Sequence, residues 1–159
     1  MDWFVKAFLK ASLSWLAAGV SLGIAMAIHP AWTVYRPAHL HMNLLGFVAM
    51  MIFGVAYHVI PRFTGHPLHN RALATVQWWL ANTGLALFVL GFVLLPGARS
   101  ATVARSIVAI GGLLSGLAAY VFVYNIWRTI DGPTVRRDTS SPARTEPASV
   151  TMLRRRSAS

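Results

Sequence analysis

Histidine is the residue type of this 159-residue chain that is best suited to chemistry, and it occurs six times. His39 and His41 begin a long apolar stretch, and an ionisable side chain in such a stretch predicts a functional site. Neutral imidazole is a good ligand for heme iron. Residues two apart on a helix project roughly 200° from each other, so the two rings should face opposite sides and could each ligate a different cofactor. The alternative is that both rings lie among lipid headgroups.

The other four histidines are weaker candidates. His29 and His58 each end a predicted helix, and roughly 25 Å of helix separates His58 from His41, so these two cannot share one site. His66 and His69 lie in a short loop without a neighbouring carboxylate or cysteine, and we do not expect them to hold a metal ion. The chain has no cysteine, which excludes disulfides, iron–sulfur clusters and covalent heme attachment.

Four apolar segments must position these histidines. The chain is 56% hydrophobic and only 11% charged, whereas soluble domains average about 25% charged residues. Each segment contains about 20 residues without a charge, which is enough to cross roughly 30 Å of hydrocarbon. The predicted spans are 4–28, 39–60, 74–95 and 103–127. Pro61 is expected to end the second span. The pattern predicts an all-α fold, an integral membrane four-helix bundle.

The composition changes after the fourth span. Residues 1–130 are predicted to form the four-transmembrane-helix domain, and residues 131–159 a disordered basic cytoplasmic tail. The tail is rich in Pro, Ser, Thr and Arg and has few apolar residues to bury. An N-terminal signal peptide is the rival interpretation of the first segment, and the spanning length of that segment argues against it.

The Lys and Arg residues predict the orientation of the helices. The chain carries a net charge of +10, and topology explains it better than binding of nucleic acid. Arg36, Arg99 and Arg105 fall on one side of the predicted membrane. All the other basic residues fall on the opposite side: Lys6, Lys10, Arg62, Arg71, Arg128, Arg136, Arg137, Arg144, Arg154, Arg155 and Arg156. Because cytoplasmic loops are enriched in Lys and Arg, both termini should be cytoplasmic, in a bacterial inner membrane.

Small residues recur at four-residue spacing in two of the helices. The first helix has Gly19, Gly23 and Ala27, and the fourth has Gly112 and Gly116. Such spacing lets helix backbones approach closely in lipid. It predicts a compact bundle or an oligomer, with these glycines on exposed flanks, and it indicates no particular chemistry.

The second segment resembles a known membrane family. It carries RPAHLHMNLL at residues 36–45, then GVAY at residues 54–57 and Pro61. This is similar to the second helix of subunit I of the heme-copper oxidase superfamily, especially the nitric oxide reductase large subunit. The resemblance covers about residues 4–130, although only the second helix is specific. It implies that His41 is an axial ligand of a low-spin heme, with Asn43 following in phase.

The resemblance also implies a fold and an assembly. The family's subunit has about twelve helices in three four-helix arcs around a pseudo-threefold axis, and this chain resembles one arc. Three copies would imitate the whole, with a bis-histidine heme b between His39 of one protomer and His41 of the next. Arg36 would then lie where the heme propionates emerge, where a guanidinium suits a carboxylate; a plain interfacial arginine is the alternative.

Several functions remain open from the sequence. A homotrimeric heme b protein would transfer electrons or sense a gas, with quinol or cytochrome c as candidate partners beside the lipid bilayer. An accessory or assembly subunit of a larger respiratory oxidase or nitric oxide reductase is the alternative, as is a minimal reductase whose missing ligands come from a partner. The chain lacks the family's copper-ligand runs, so we expect neither copper nor a complete catalytic site, and no nucleic-acid partner.

Overall fold

The computed structural model describes residues 1–132, and the predicted tail falls almost wholly outside this part of the chain. Within these residues the secondary structure is helical, without strands. The first helix is Trp3–Ile28, the second Pro30–Thr64, the third Arg71–Leu94 and the fourth Ala101–Ile130. All four are long and apolar enough to cross a membrane. The predicted all-α membrane bundle is confirmed, whereas the division into domain and tail stays a prediction.

The second helix changes its winding along its length. It begins as a 3₁₀ helix at Pro30–Tyr35 and becomes an α-helix at Arg36–His41. It then widens into a π-helix at Met42–Ala49 before it continues as an α-helix over Met50–Thr64. Wide π turns are rare and often occur at functional sites. This one follows directly after His41.

The expectation that Pro61 ends the second helix is wrong. Pro61 lies inside the helix, which continues to Thr64. A proline removes one backbone donor, and three further residues can still follow it in helical geometry. The helix ends instead at Gly65, whose positive φ of 73° places it in the left-handed region that glycine adopts without strain.

The third and fourth helices pack backbone to backbone through glycine. A Cβ atom on Gly84 would lie 2.7 Å from the Ser115 backbone nitrogen, and one on Gly91 would lie 2.8 Å from that of Val108. A Cβ on Gly111 would overlap the backbone of Phe88. By contrast, Gly116 has open space around it. Glycine is required at the first three positions because no side chain fits there.

Glycines of the first helix receive side chains of the second helix, which corrects the expectation that Gly19 and Gly23 form an exposed flank. A Cβ on Gly19 would lie 2.6 Å from Asn43 Nδ2, and one on Gly23 would lie 2.8 Å from His39 Cε1. Both glycines therefore serve contacts within the protomer. The second helix contacts the first along its length, the third near His41 and the fourth nearer its end.

Candidate functional site

The candidate site lies at the start of the second helix, in the α-helical turn Arg36–His41 and the first residues of the π-helix. Pro37 stands in the first turn, where its fixed φ suits helix initiation and its missing donor costs nothing. Ala38 is fully buried, so this turn packs closely against the rest of the bundle. The flanking His39 and His41 are each only partly buried.

The His39 ring faces the first helix. Its Nδ1 lies 2.8 Å from the backbone oxygen of Gly19, and its Cε1 lies over Gly23. A carbonyl oxygen only accepts hydrogen bonds, so the geometry assigns the proton of a neutral ring to Nδ1. The Nε2 atom then keeps its lone pair.

The His41 ring faces the third helix. Its Nδ1 lies 2.7 Å from the backbone oxygen of Pro37, one turn earlier in the same helix, so the same assignment of the proton applies. Two phenylalanines of the third helix contact the ring. The centroid of Phe88 is 4.4 Å away at an interplanar angle of 65°, and that of Phe92 is 5.2 Å away at 27°. His39 and His41 thus present a free Nε2 toward different neighbours.

Asn43 and Arg36 occupy different positions relative to the two rings. Asn43 donates from Nδ2 to the backbone oxygen of His39 at 2.8 Å, and its amide lies on Gly19. It therefore braces the His39 side of the turn. Arg36 is exposed, and within residues 1–132 no hydrogen bond holds its side chain. Its guanidinium is therefore exposed at the histidine end of the bundle.

The remaining histidines have other partners. His29 lies against Trp32, with ring centroids 5.6 Å apart, and His69 lies against Tyr124 at 5.8 Å. His58 Nδ1 is 3.0 Å from Arg62 Nη1. The residues that the structure describes contain no group of three or more His, Cys, Asp or Glu side chains able to hold a metal ion. An iron already held by a porphyrin needs only one or two protein ligands, so this finding does not bear on heme.

A buried polar cluster, which the sequence analysis missed, lies near the other end of the second helix. Gln77 and Asn125 are both 0% exposed. Tyr57 donates its hydroxyl hydrogen to Gln77 Oε1, and Asn125 Nδ2 approaches the same hydroxyl at 3.5 Å. Polar residues inside the apolar runs of the third and fourth helices were the available signal. The cluster joins three helices.

The same cluster holds the loop after the second helix. Asn125 exchanges two hydrogen bonds with the Asn70 backbone, at 2.9 and 3.0 Å. Thr129 Oγ1 accepts from the His69 backbone nitrogen at 3.0 Å, and the Thr129 backbone oxygen is 3.0 Å from His66 Nδ1. His66 is buried, and its ring joins the loop to the end of the fourth helix.

One cavity of the bundle is lined in part by Tyr35, which is close in sequence to the candidate site, and does not contain the histidines of that site. A cavity of about 440 Å³ lies at the same end of the bundle, lined by Tyr35, Val93, Arg99 and neighbouring residues, without His39 or His41. The His39 and His41 rings are both partly exposed outside this cavity.

Comparison with known proteins gives distant relatives of one kind, and no protein-family model matches the chain. The chain is 27% identical over 154 residues to the Cbb3-type cytochrome c oxidase subunit CcoN1 of Stutzerimonas stutzeri, covering 77% of the chain and 32% of that protein. It is 30% identical over 146 residues to the putative cytochrome c oxidase subunit 1-beta of Streptomyces coelicolor, covering 79% and 25%. It is 29% identical over 122 residues to cytochrome c oxidase subunit 1 of Rhodobacter capsulatus, covering 62% and 22%. The chain thus spans at most about a third of the length of these relatives.

Proposed function

From the premise that this chain is a relative of subunit I of the heme-copper oxidases, we propose that it binds heme b in a bacterial inner membrane. His39 and His41 would hold the iron. The bound heme would supply a one-electron couple for electron transfer.

The observation that carries this proposal is the hydrogen bonding of the two imidazoles. Each has its Nδ1 on a backbone carbonyl, at 2.8 Å for His39 and 2.7 Å for His41. Histidines that bind metals almost always donate their second ring hydrogen in this way, because the bond fixes the tautomer and the orientation of the ring. Both Nε2 atoms are then suited to ligate iron.

The orientation of the rings favours a heme between copies of the chain. His39 faces the first helix and His41 the third, so one protomer cannot direct both rings at one iron. A cyclic trimer gives every His39 a neighbouring His41 and leaves no ring without a partner. The exposed Arg36 would then receive the propionates as a charge-assisted pair.

Ligation by both histidines would favour electron transfer over catalysis. If His39 and His41 both held the iron, no coordination position would remain for oxygen or nitric oxide. A gas sensor would require one histidine to leave the iron. Phe88 and Phe92 would keep water from the His41 side, since both rings pack on the imidazole.

The proposed orientation has both termini in the cytoplasm. Asp2 pairs with Arg71, and His66 contacts the end of the fourth helix, so the N-terminus, the loop after the second helix and Arg128 share one end of the bundle. Cytoplasmic ends of membrane helices are enriched in Lys and Arg. The histidine end would then face outward.

The second candidate is an accessory subunit of a larger respiratory oxidase or nitric oxide reductase. The apolar outer face of the fourth helix favours this role, because Leu113 is 73% exposed there and Tyr120 76%. A partner on that face would also provide the missing ligands of a minimal reductase.

A visible spectrum of the purified protein tests these functions against each other. The proposal requires sharp, split bands of low-spin heme in the reduced state, unchanged by carbon monoxide. A protein that purifies without heme would instead support the accessory role. Carbon monoxide binding would reveal an open coordination position and favour the reductase.

A further inference from the structure

The first helix presents glycine at both positions where it meets the candidate site. A Cβ on Gly23 would lie 2.8 Å from His39 Cε1 and 3.3 Å from Nδ1. A Cβ on Gly19 would lie 2.6 Å from Asn43 Nδ2. The imidazole and the amide therefore lie directly on helix backbone, at a distance that only glycine permits.

The close approach lets the His39 ring reach the backbone carbonyl of Gly19. Gly19 is in the interior of the first helix, where its oxygen takes part in the helical hydrogen bonds. A carbonyl oxygen has two lone pairs, so it can accept a second hydrogen bond if a donor reaches it. His39 Nδ1 does so at 2.8 Å. With side chains at positions 19 and 23, the ring would be held away from this oxygen.

We infer that Gly19 and Gly23 are positioning residues for His39, and that the first helix fixes this ring as the Nδ1-protonated tautomer with Nε2 free. Asn43 completes the arrangement, since it holds the His39 backbone oxygen and contacts Gly19. His41 differs, because its Nδ1 bonds only within its own helix. A change in the packing of the first helix should therefore alter His39 and leave His41 as it is.

The inference rests on the proposed function only in naming heme iron as the ligand of Nε2. Gly23→Ala is the direct test. The added methyl group meets the far edge of a flexible side chain, so the ring should shift while the helices stay packed. Loss of such an orienting partner typically weakens metal binding roughly 10- to 100-fold. We expect weaker heme binding of that size and a changed reduction potential in the heme that remains.

Gly116→Ala is the matched control, because it makes the same substitution in a spanning helix where nothing lies within 4 Å. It should leave heme affinity and potential unchanged. The double variant Gly23→Ala with His39→Ala tests for a general packing defect through the thermal stability of the heme-free protein. Removal of the ring makes room for the methyl group, so Gly23→Ala should have little effect on stability in that background. If Gly23→Ala lowered the stability equally with and without His39, a general packing defect would explain its effect and the inference would be overturned.

The tautomer is measured independently of heme by ¹⁵N NMR of imidazole nitrogens in the heme-free protein. The His39 signals, assigned by their loss in His39→Ala, should show a protonated Nδ1 and an unprotonated Nε2. In Gly23→Ala they should shift toward a mixture of tautomers, and in Gly116→Ala they should not change. The Nδ1-protonated pattern in a protein that never binds heme would contradict the proposed function and support the inference. An Nε2-protonated His39 would reject the inference even in a protein that binds heme.

Discussion

His39 and His41 are near neighbours in sequence, yet different parts of the molecule hold them. A carbonyl of the first helix accepts from His39, whereas a carbonyl of the second helix itself accepts from His41, whose ring also packs on two phenylalanines of the third helix. The hydrogen bond of His41 is local, so it depends less on helix packing than that of His39. His41 should therefore be the more robust ligand, which agrees with its place in the family motif.

His41→Ala should remove the heme or convert it to a high-spin form, and the protein should stay folded and inserted. The iron loses a ligand, whereas the fold loses one partly buried ring. We expect heme occupancy to fall by more than the roughly 10- to 100-fold typical of an outer partner. Absorption and electron paramagnetic resonance spectra measure the change. His58→Ala is the control, because that ring contacts Arg62 far from the site. A His41→Ala protein with a wild-type spectrum would reject His41 as a ligand.

The sequence predicts that the four helices exist, and it predicts less about their local geometry. The four helices follow from long uncharged runs, because hydrocarbon tolerates only a backbone whose polar groups bond internally. The same runs do not predict where a helix changes from α to π geometry. The residues of the π-helix at Met42–Ala49 are as apolar as those of the neighbouring α-helix, so composition does not distinguish the two. The prediction that Pro61 ends the helix was wrong because the residue that ends it is Gly65, four residues later.

The candidate site was predictable in its residues and not in its contacts. Spacing alone put His39 and His41 on different sides of a helix, and the family motif singled out His41 and Asn43. The packing of Gly19 and Gly23 against the site was not foreseen, because small residues at that spacing fit an external interface equally well. The polar cluster was missed since Gln77 and Asn125 lie far apart in sequence and meet only in the fold.

Asn125→Ala should destabilise the bundle without changing the heme spectrum. It removes both hydrogen bonds to Asn70 and leaves buried groups without partners, at a cost of about 1–3 kcal/mol. Tyr57, in the same cluster, lies roughly 25 Å of helix away from His41, so the heme should not sense the change. Unfolding in mixed detergent micelles measures the stability.

Ser21→Ala is the matched control for that experiment. Ser21 is exposed and bonds only to the Ala17 backbone oxygen at 2.8 Å, so its loss leaves no buried group unpaired. Its effect should be within about 0.5 kcal/mol. If both variants unfolded alike, the buried cluster would not be a structural lock.

At the scale of the whole molecule, the orientation is open to a direct test. Protease added to inside-out vesicles should cleave after the fourth helix, because the basic residues at that end predict a cytoplasmic location. Right-side-out vesicles should protect the C-terminal segment from the same protease. Cleavage of the C-terminal segment only from the outside would reverse the proposed topology.

The proposed trimer predicts how two damaged chains behave together. His39→Ala and His41→Ala should have similar spectral effects, because each breaks the same kind of paired site. When the two variants are mixed, part of the sites should recover, wherever an intact His39 meets an intact His41. Mass measurement in detergent should give three chains. A monomer with full heme, or a His39→Ala protein with a six-coordinate spectrum, would rule out the shared site.

The π-helix has a consequence for how the two ends of the molecule are aligned. Each of its wide turns spans one residue more than an α-turn, and each residue of helix corresponds to about 100° of rotation. The angle around the helix axis between His41 and Tyr57 therefore differs from the angle that an uninterrupted α-helix would give. Loss of a single residue from Met42–Ala49 would rotate one end relative to the other, so the length of this segment is constrained more tightly than its composition.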